Sequence, residues 1–235
     1  MSARTPILTG RGLKRYFHRG AETVRALDGV DLDVYGGEFL AVLGASGSGK
    51  TTLLNLLALL DAPTDGALTI AGQPLRLHRE RDLERARRGQ VGHVFQTFHL
   101  LPTLTVEENI ALPLFFLGRA PEPAALDALI DSVGLADRRR HLPGELSGGQ
   151  MQRVAVARAL VSSPRLVTAD EPTGNLDHTT GEQVFDLLHR VCRERGVAIV
   201  MTTHNTSLAR RADRLLWLED GRITRQGPPA DVLGS

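Results

Sequence analysis

One eight-residue stretch, Gly44-Ala45-Ser46-Gly47-Ser48-Gly49-Lys50-Thr51, constrains this chain more than any other. It fits G-x-x-x-x-G-K-[ST], a loop that wraps a phosphate group. Phe39–Leu43 before it reads as a short buried strand, and Thr52–Leu60 after it as an apolar helix. Glycines permit the tight turn and bring backbone N–H groups close to phosphate oxygens. The helix aims its partly positive N-terminus at the same oxygens. In this reading Lys50 reaches the β- and γ-phosphates, and Thr51 places its hydroxyl on Mg²⁺. Lysine is informative here, because the chain has only Lys14 and Lys50 against twenty-six arginines. A slim point charge on a flexible stem stands where a phosphate cradle needs one.

The 235 residues suit one large domain, or a core with an inserted subdomain. With 42% hydrophobic and 23% charged residues, the profile is that of an ordinary globule. A net charge of +1 gives no basic field for nucleic acid. Cys192 is alone, so no internal disulfide forms, and its helical setting suits a small buried apolar role. The N-terminus shows no apolar signal core. The apolar runs Leu53–Leu60 and Ile110–Leu117 are too short to span a bilayer. These features point to a reducing, cytosolic setting, which leaves docking onto a membrane protein open.

Residues 5–43 read as antiparallel strands, with apolar Val30, Leu32 and Val34 alternating with Asp31 and Asp33. Gly36-Gly37 turns into the strand before the phosphate loop. A hairpin is expected over Leu68–Leu75, turning at Ala71-Gly72. Arg79–Arg88 reads as a mixed-charge helical face with pairs such as Glu84 and Arg88. A strand at Gly92–Phe95 leads to Gln96. Residues 103–163 read as mainly helical, with breaks at Gly118–Pro123 and Pro143-Gly144. Leu166–Ala169 and Val197–Thr202 suit central parallel strands. A hairpin at Asp220-Gly221, between Leu215–Leu218 and Arg222–Thr224, closes the chain.

Two further motifs carry chemistry. Leu146-Ser147-Gly148-Gly149-Gln150 opens a helix running to about Leu160. Ser147 suits the N-cap, and the glycines leave backbone N–H groups open to an anion. In Leu166-Val167-Thr168-Ala169-Asp170-Glu171 an apolar strand ends in adjacent carboxylates. Two such charges repel unless a cation or water absorbs one. Asp170 on Mg²⁺ and Glu171 on an attacking water resolve the conflict. His204 follows the strand Val197–Thr202, where ligands bind at the carboxyl ends of parallel strands.

Together these residues resemble the nucleotide-binding subunits of ABC transporters along nearly the whole chain. The resemblance makes Gly44–Thr51 the Walker A loop, Gln96 the Q-loop residue and Leu146–Gln150 the signature. Asp170 and Glu171 then end the Walker B strand, Gly174-Asn175-Leu176-Asp177 is the D-loop, and His204 is the switch histidine. Tyr16 stands where the family stacks an aromatic ring on adenine, with Phe17 beside it as the other candidate. Three stretches are similar to the branch serving macrolide export, lipoprotein release and antimicrobial-peptide resistance: Gly44–Lys50, Phe95–Pro102 and Asp170–Asp177. Two departures stand out. Thr168 puts a hydroxyl into a usually aliphatic strand, and Asn205 follows His204 where aspartate is commoner.

The resemblance implies an α/β P-loop NTPase core with a mostly parallel central sheet, an antiparallel β-subdomain and an inserted helical subdomain. The core spans 1–102 and 164–235, and the insert about 103–163. It further implies a head-to-tail dimer holding two ATP and Mg²⁺. Each nucleotide sits on Gly44–Thr51 and Thr52 of one copy, under Ser147, Gly148, Gly149 and Gln150 of the other, with Asp177 passing contacts across. Thr51, Gln96 and Asp170 face the metal. Glu171 is the general base, assisted by His204, Gln96 and Lys50. The expected partner is an integral membrane permease at the cytoplasmic face of the inner membrane, reached by the helical insert. Leu112–Phe116 is either a groove for a permease helix or core of the insert. An alternative within the resemblance is an ATPase that regulates a cell-wall or division complex and moves no solute. A soluble ATPase acting on nucleic acid or ribosomes is disfavoured by the balanced charge.

Overall fold

The computed structural model describes residues 5–20, 22–75 and 80–234. Period-two alternation yields a long hairpin of β1 (Pro6–Arg19) and β2 (Glu22–Tyr35), with Val30, Leu32 and Val34 buried. After the Gly36-Gly37 turn comes β3 (Phe39–Leu43), buried at all five positions. The following helix, α1, spans Lys50–Leu57, displaced from the Thr52–Leu60 expected from apolar pattern. Two backbone features cause the displacement. Gly49 starts the helix at φ 101°, and Leu59 at φ 55° ends it, so that the Leu60 N–H bonds back to the Asn55 carbonyl.

Next come β4 (Asp65–Ile70) and β5 (Gln73–Pro74), the hairpin turning at Ala71-Gly72. The mixed-charge segment forms α2 (Glu80–Arg87), and Arg88 donates to Glu84 at 2.7 Å; Arg79 lies outside the described residues. The strand expected at Gly92–Phe95 is β6 (Val91–Val94), which frees Phe95 to enter the following loop. Between it and β7 (Leu166–Asp170) lie α3 (Val106–Phe116), α4 (Pro123–Ser132) and α5 (Gly148–Leu160). Pro143-Gly144 is part of a short 3₁₀ turn, Pro143–Glu145, rather than a plain break. The chain continues through α6 (His178–Arg195), β8 (Ala198–Thr202), α7 (Thr206–Ala209), β9 (Arg214–Glu219), β10 (Arg222–Gly227) and α8 (Pro229–Leu233).

Two sheets result. One is antiparallel, in the order β2-β1-β4-β5. The other runs β10-β9-β3-β8-β7-β6, parallel throughout except at the β9/β10 edge. Side chains on β3 alternate between two cores. Phe39, Ala41 and Leu43 join residues of α3, α4, α5 and α6, whereas Leu40 and Val42 join α1 and the antiparallel sheet. A strand covered on both faces has no polar side, which is why Phe39–Leu43 reads as an unbroken apolar run. Cys192 lies fully buried in the first core. Among the described residues, no helix is long and apolar enough to cross a membrane.

Candidate functional site

The carboxyl ends of β3, β7 and β8 deliver Gly44, Glu171 and His204 to one open cleft of about 870 Å³. Ser46, Gly47, Gly49, Lys50, Thr51 and Thr52 also line it. A Cβ on Gly49 would sit 2.2 Å from the Ala26 carbonyl oxygen, so only glycine lets the loop lie against β2 there. The Lys50 ammonium donates to the carbonyls of Gly44 and Ala45 at 2.9 Å each, which holds the loop closed with one donor to spare. Ser48 braces the loop from behind. Its N–H bonds the Ala45 carbonyl, its own carbonyl accepts from Gly221, and its buried hydroxyl has no partner. The Asp220-Gly221 turn is therefore tied to the loop, and both its residues line the cleft.

At the end of β7 the two acids part. Asp170 Oδ1 lies 3.4 Å from the Thr51 hydroxyl and accepts the Thr202 hydroxyl at 2.6 Å. That same Thr202 oxygen accepts the Glu171 N–H at 2.9 Å. Glu171 has φ 41°, a left-handed backbone that costs a non-glycine residue about 1 kcal/mol or more. Its carboxylate meets His204 Nδ1 at 3.2 Å. Sequence patterns did not mark Thr202 as a site residue, although a hydroxyl at the end of aliphatic Ala198–Met201 was its signal. Thr51 and Asp170 offer hard oxygen donors, the set Mg²⁺ takes beside phosphate oxygens and water.

The exposed Gln96 follows β6, and its carbonyl accepts from Asn175 at 3.1 Å. A Cβ on Gly174 would fall 3.2 Å from Gln96 Nε2 and 3.4 Å from Glu171 Oε2, so the two side chains flank that glycine. Asp177 caps α6, accepting from the Thr180 N–H at 3.0 Å, and lines a smaller hollow that Glu171 and His204 share.

Not every expected residue meets the cleft. Ser147 caps α5 as the sequence suggests, in a reciprocal box with Gln150, and leaves the Gly148 and Gly149 N–H groups without helical acceptors. Yet none of Ser147, Gly148, Gly149 and Gln150 lines the cleft. Neither does Tyr16, nor Phe17. The Tyr16 hydroxyl donates to Asp28, and its ring lies 5.6 Å from the Arg25 guanidinium. Asp28 also accepts from Arg222 at 2.7 Å, and these two bonds hold its carboxyl below the usual range while the first raises the tyrosine. Val24, Arg25, Asp28 and Arg222 line the wall next to Tyr16, where nothing in the sequence marked them.

Both departures find local partners. Thr168 meets His93 Nδ1 at 2.6 Å across β6 and β7. Asn205 caps α7, accepting from the Ser207 and Leu208 N–H groups.

Residues 27–174 match the family described as "ABC transporter". Among curated relatives, the "Lipoprotein-releasing system ATP-binding protein LolD 2" of Caulobacter vibrioides is 47% identical over 223 residues, covering 94% of this chain and 98% of that protein. The "Macrolide export ATP-binding/permease protein MacB" of Shigella flexneri is 42% identical over 96% of this chain, which spans only 35% of that longer protein. Among solved structures, the ATP-binding cassette MJ0796, a dimer in a post-hydrolysis state bound to ADP and Pi, is 36% identical with a TM-score of 0.85, over 94% of this chain and 98% of that one. With the family matched over residues 27–174 and a relative 47% identical over nearly the full length of both chains, this chain belongs to the ABC transporter ATPases.

Proposed function

We propose that this chain is the motor subunit of a membrane transporter or extraction complex, and that two copies close on two ATP to drive an integral membrane permease. One observation carries the reading: the Lys50 loop, Glu171 and His204 line one cleft, with Asp170 3.4 Å from the Thr51 hydroxyl, while Ser147–Gln150 lie outside it. A second copy facing head to tail supplies that missing edge, and two ATP supply the negative charge that both helix N-termini attract.

In this mechanism the loop N–H groups and Lys50 hold the β- and γ-phosphates. Thr51 and Asp170 would hold Mg²⁺, which would supply positive charge to neutralise those phosphates. Glu171 accepts a proton from the attacking water, His204 orients the Glu171 carboxylate and contacts the γ-phosphate, and Gln96 faces the metal and water. Hydrolysis splits ATP into ADP and phosphate, and departure of the phosphate removes the anion that bridges the copies, so they part.

Relatives named for lipoprotein release and macrolide export support a lipid-linked, peptide or drug-like substrate moved outward or extracted. The chain then sits on the cytoplasmic face of the inner membrane through its permease. Phe115 and Phe116, 77% and 67% exposed, form an apolar patch beside a groove of Leu112, Pro113, Leu117, Arg87 and Arg88. A permease helix laid in that groove suits its mixed lining. Leu114, by contrast, is buried.

The test is E171Q, which keeps the cradle and removes the base. With ATP and Mg²⁺ it is expected to elute as a dimer on size exclusion, and with ADP as a monomer. A variant that stays monomeric at saturating ATP overturns the proposal.

A further inference from the structure

Gln96 rides on a strap, residues 95–99, whose backbone is held by side chains from outside. The Phe95 carbonyl accepts from Gln152 Nε2 at 3.4 Å, and the Gln96 carbonyl from Asn175 at 3.1 Å. The carbonyls of Phe98 and His99 accept the two terminal nitrogens of Arg158 at 2.8 and 2.6 Å. Gln152 and Arg158 both belong to α5, the helix that Ser147–Gln150 opens.

Arg158 is the strongest of these ties. A guanidinium donates in a rigid fork, and its charge shortens and strengthens each bond. Its side-chain hydrogen bonds among the described residues all go to the strap. The base of the strap is equally fixed. A Cβ on Gly92 of β6 would stand 2.1 Å from the Ala159 carbonyl oxygen, so the last turn of α5 sits directly on the strand that feeds the strap. Helix and strap are therefore joined twice, through the Arg158 fork and through the packing of α5 on β6.

We propose that Arg158 is a positioning residue for ATP hydrolysis. By gripping the Phe98 and His99 carbonyls it joins the Gln96 side chain and the Ser147–Gln150 helix start into one mechanical unit. A shift of that helix start when it docks on a second copy is then transmitted to Gln96, which already flanks Gly174 beside Glu171. The inference rests on the proposed role of Gln96.

Steady-state ATPase of the full chain with Mg²⁺ tests it, using R158A, Q96A and the double variant. R158A is expected to lower kcat about tenfold with KM within about twofold, because the cradle that binds nucleotide is untouched. R158K, which keeps one of the two bonds, falls between R158A and the unmodified chain. The double variant is expected to be no slower than Q96A, the mark of two residues acting through one path. Multiplied effects, or an R158A kcat equal to that of the unmodified chain, overturn the inference while leaving Gln96 in place. Full kcat in Q96A instead overturns the role of Gln96, and the coupling with it. Should R158A melt below the assay temperature, R158K paired with Q96A closes the same cycle, and the same two outcomes support or overturn the coupling.

Discussion

His93 makes this protein acid-sensitive well above the pH at which carboxylates protonate. Burial in β6 pushes its pKa down to about 4; the Asp170 charge opposes this only in part, and His99 adds to it. In the unfolded chain an imidazole titrates near 6.5. Between these values the unfolded state binds the extra proton, so stability rises with pH across the window and falls as pH drops through it. At pH 5 the unfolded imidazole is almost fully protonated while the folded one is about one-tenth protonated, a loss of about 2 kcal/mol relative to pH 7.5. The double variant H93F/T168V removes both partners of the buried bond, which is close to neutral when shapes match. Urea unfolding at pH 7.5 and pH 5 then gives the assay. Carboxylates common to both proteins cancel in the difference. The unmodified chain should lose about 2 kcal/mol more than the variant on acidification. An equal loss in both proteins refutes the reasoning.

Four further outcomes are expected. K50A should abolish tight ATP binding in equilibrium titration, since the spare donor of the cradle goes with it. T202V should lower kcat by roughly tenfold to a hundredfold with KM little changed, because one hydroxyl holds both the Asp170 carboxylate and the Glu171 N–H. H204A should cut turnover by about a hundredfold or more, read as phosphate release, and full activity there would remove its role. F115E/F116E should leave the melting temperature within about 2 °C, as exposed substitutions do, while abolishing association with a co-expressed permease.

What was legible in the sequence follows its physics. Phe39–Leu43 was readable because a strand buried on both faces must be apolar at every position. Ser147 was readable because capping is local chemistry, fixed by a hydroxyl and a glutamine three residues on. The start of α1 was not, since the helix begins inside the phosphate loop, at a lysine that loop chemistry had already claimed. Nor were the ties that cross the fold. Arg158 lies about sixty residues from the strap it grips, and Asn175 about eighty from Gln96. No periodicity links such pairs, so only the folded arrangement brings them together. Thr168 shows the same limit, for a hydroxyl in an aliphatic strand looks like a fault until His93 is seen on the neighbouring strand.

Adjacent acids at the end of β7 pose the sharpest physical problem in the chain. A cation is one answer, but the protein also has an answer of its own. Had Glu171 continued the strand, its side chain would simply alternate to the opposite face of a sheet that is packed on both sides. A left-handed φ of 41° at that one residue breaks the alternation and sends the carboxylate to His204 instead. Thr202 holds the break open, its oxygen accepting from Glu171 while its proton goes to Asp170. Strain at a functional residue persists only where its surroundings over-determine it. Here they do so through a single hydroxyl on the next strand. The separation of the two adjacent carboxylates is therefore set by backbone geometry and one threonine.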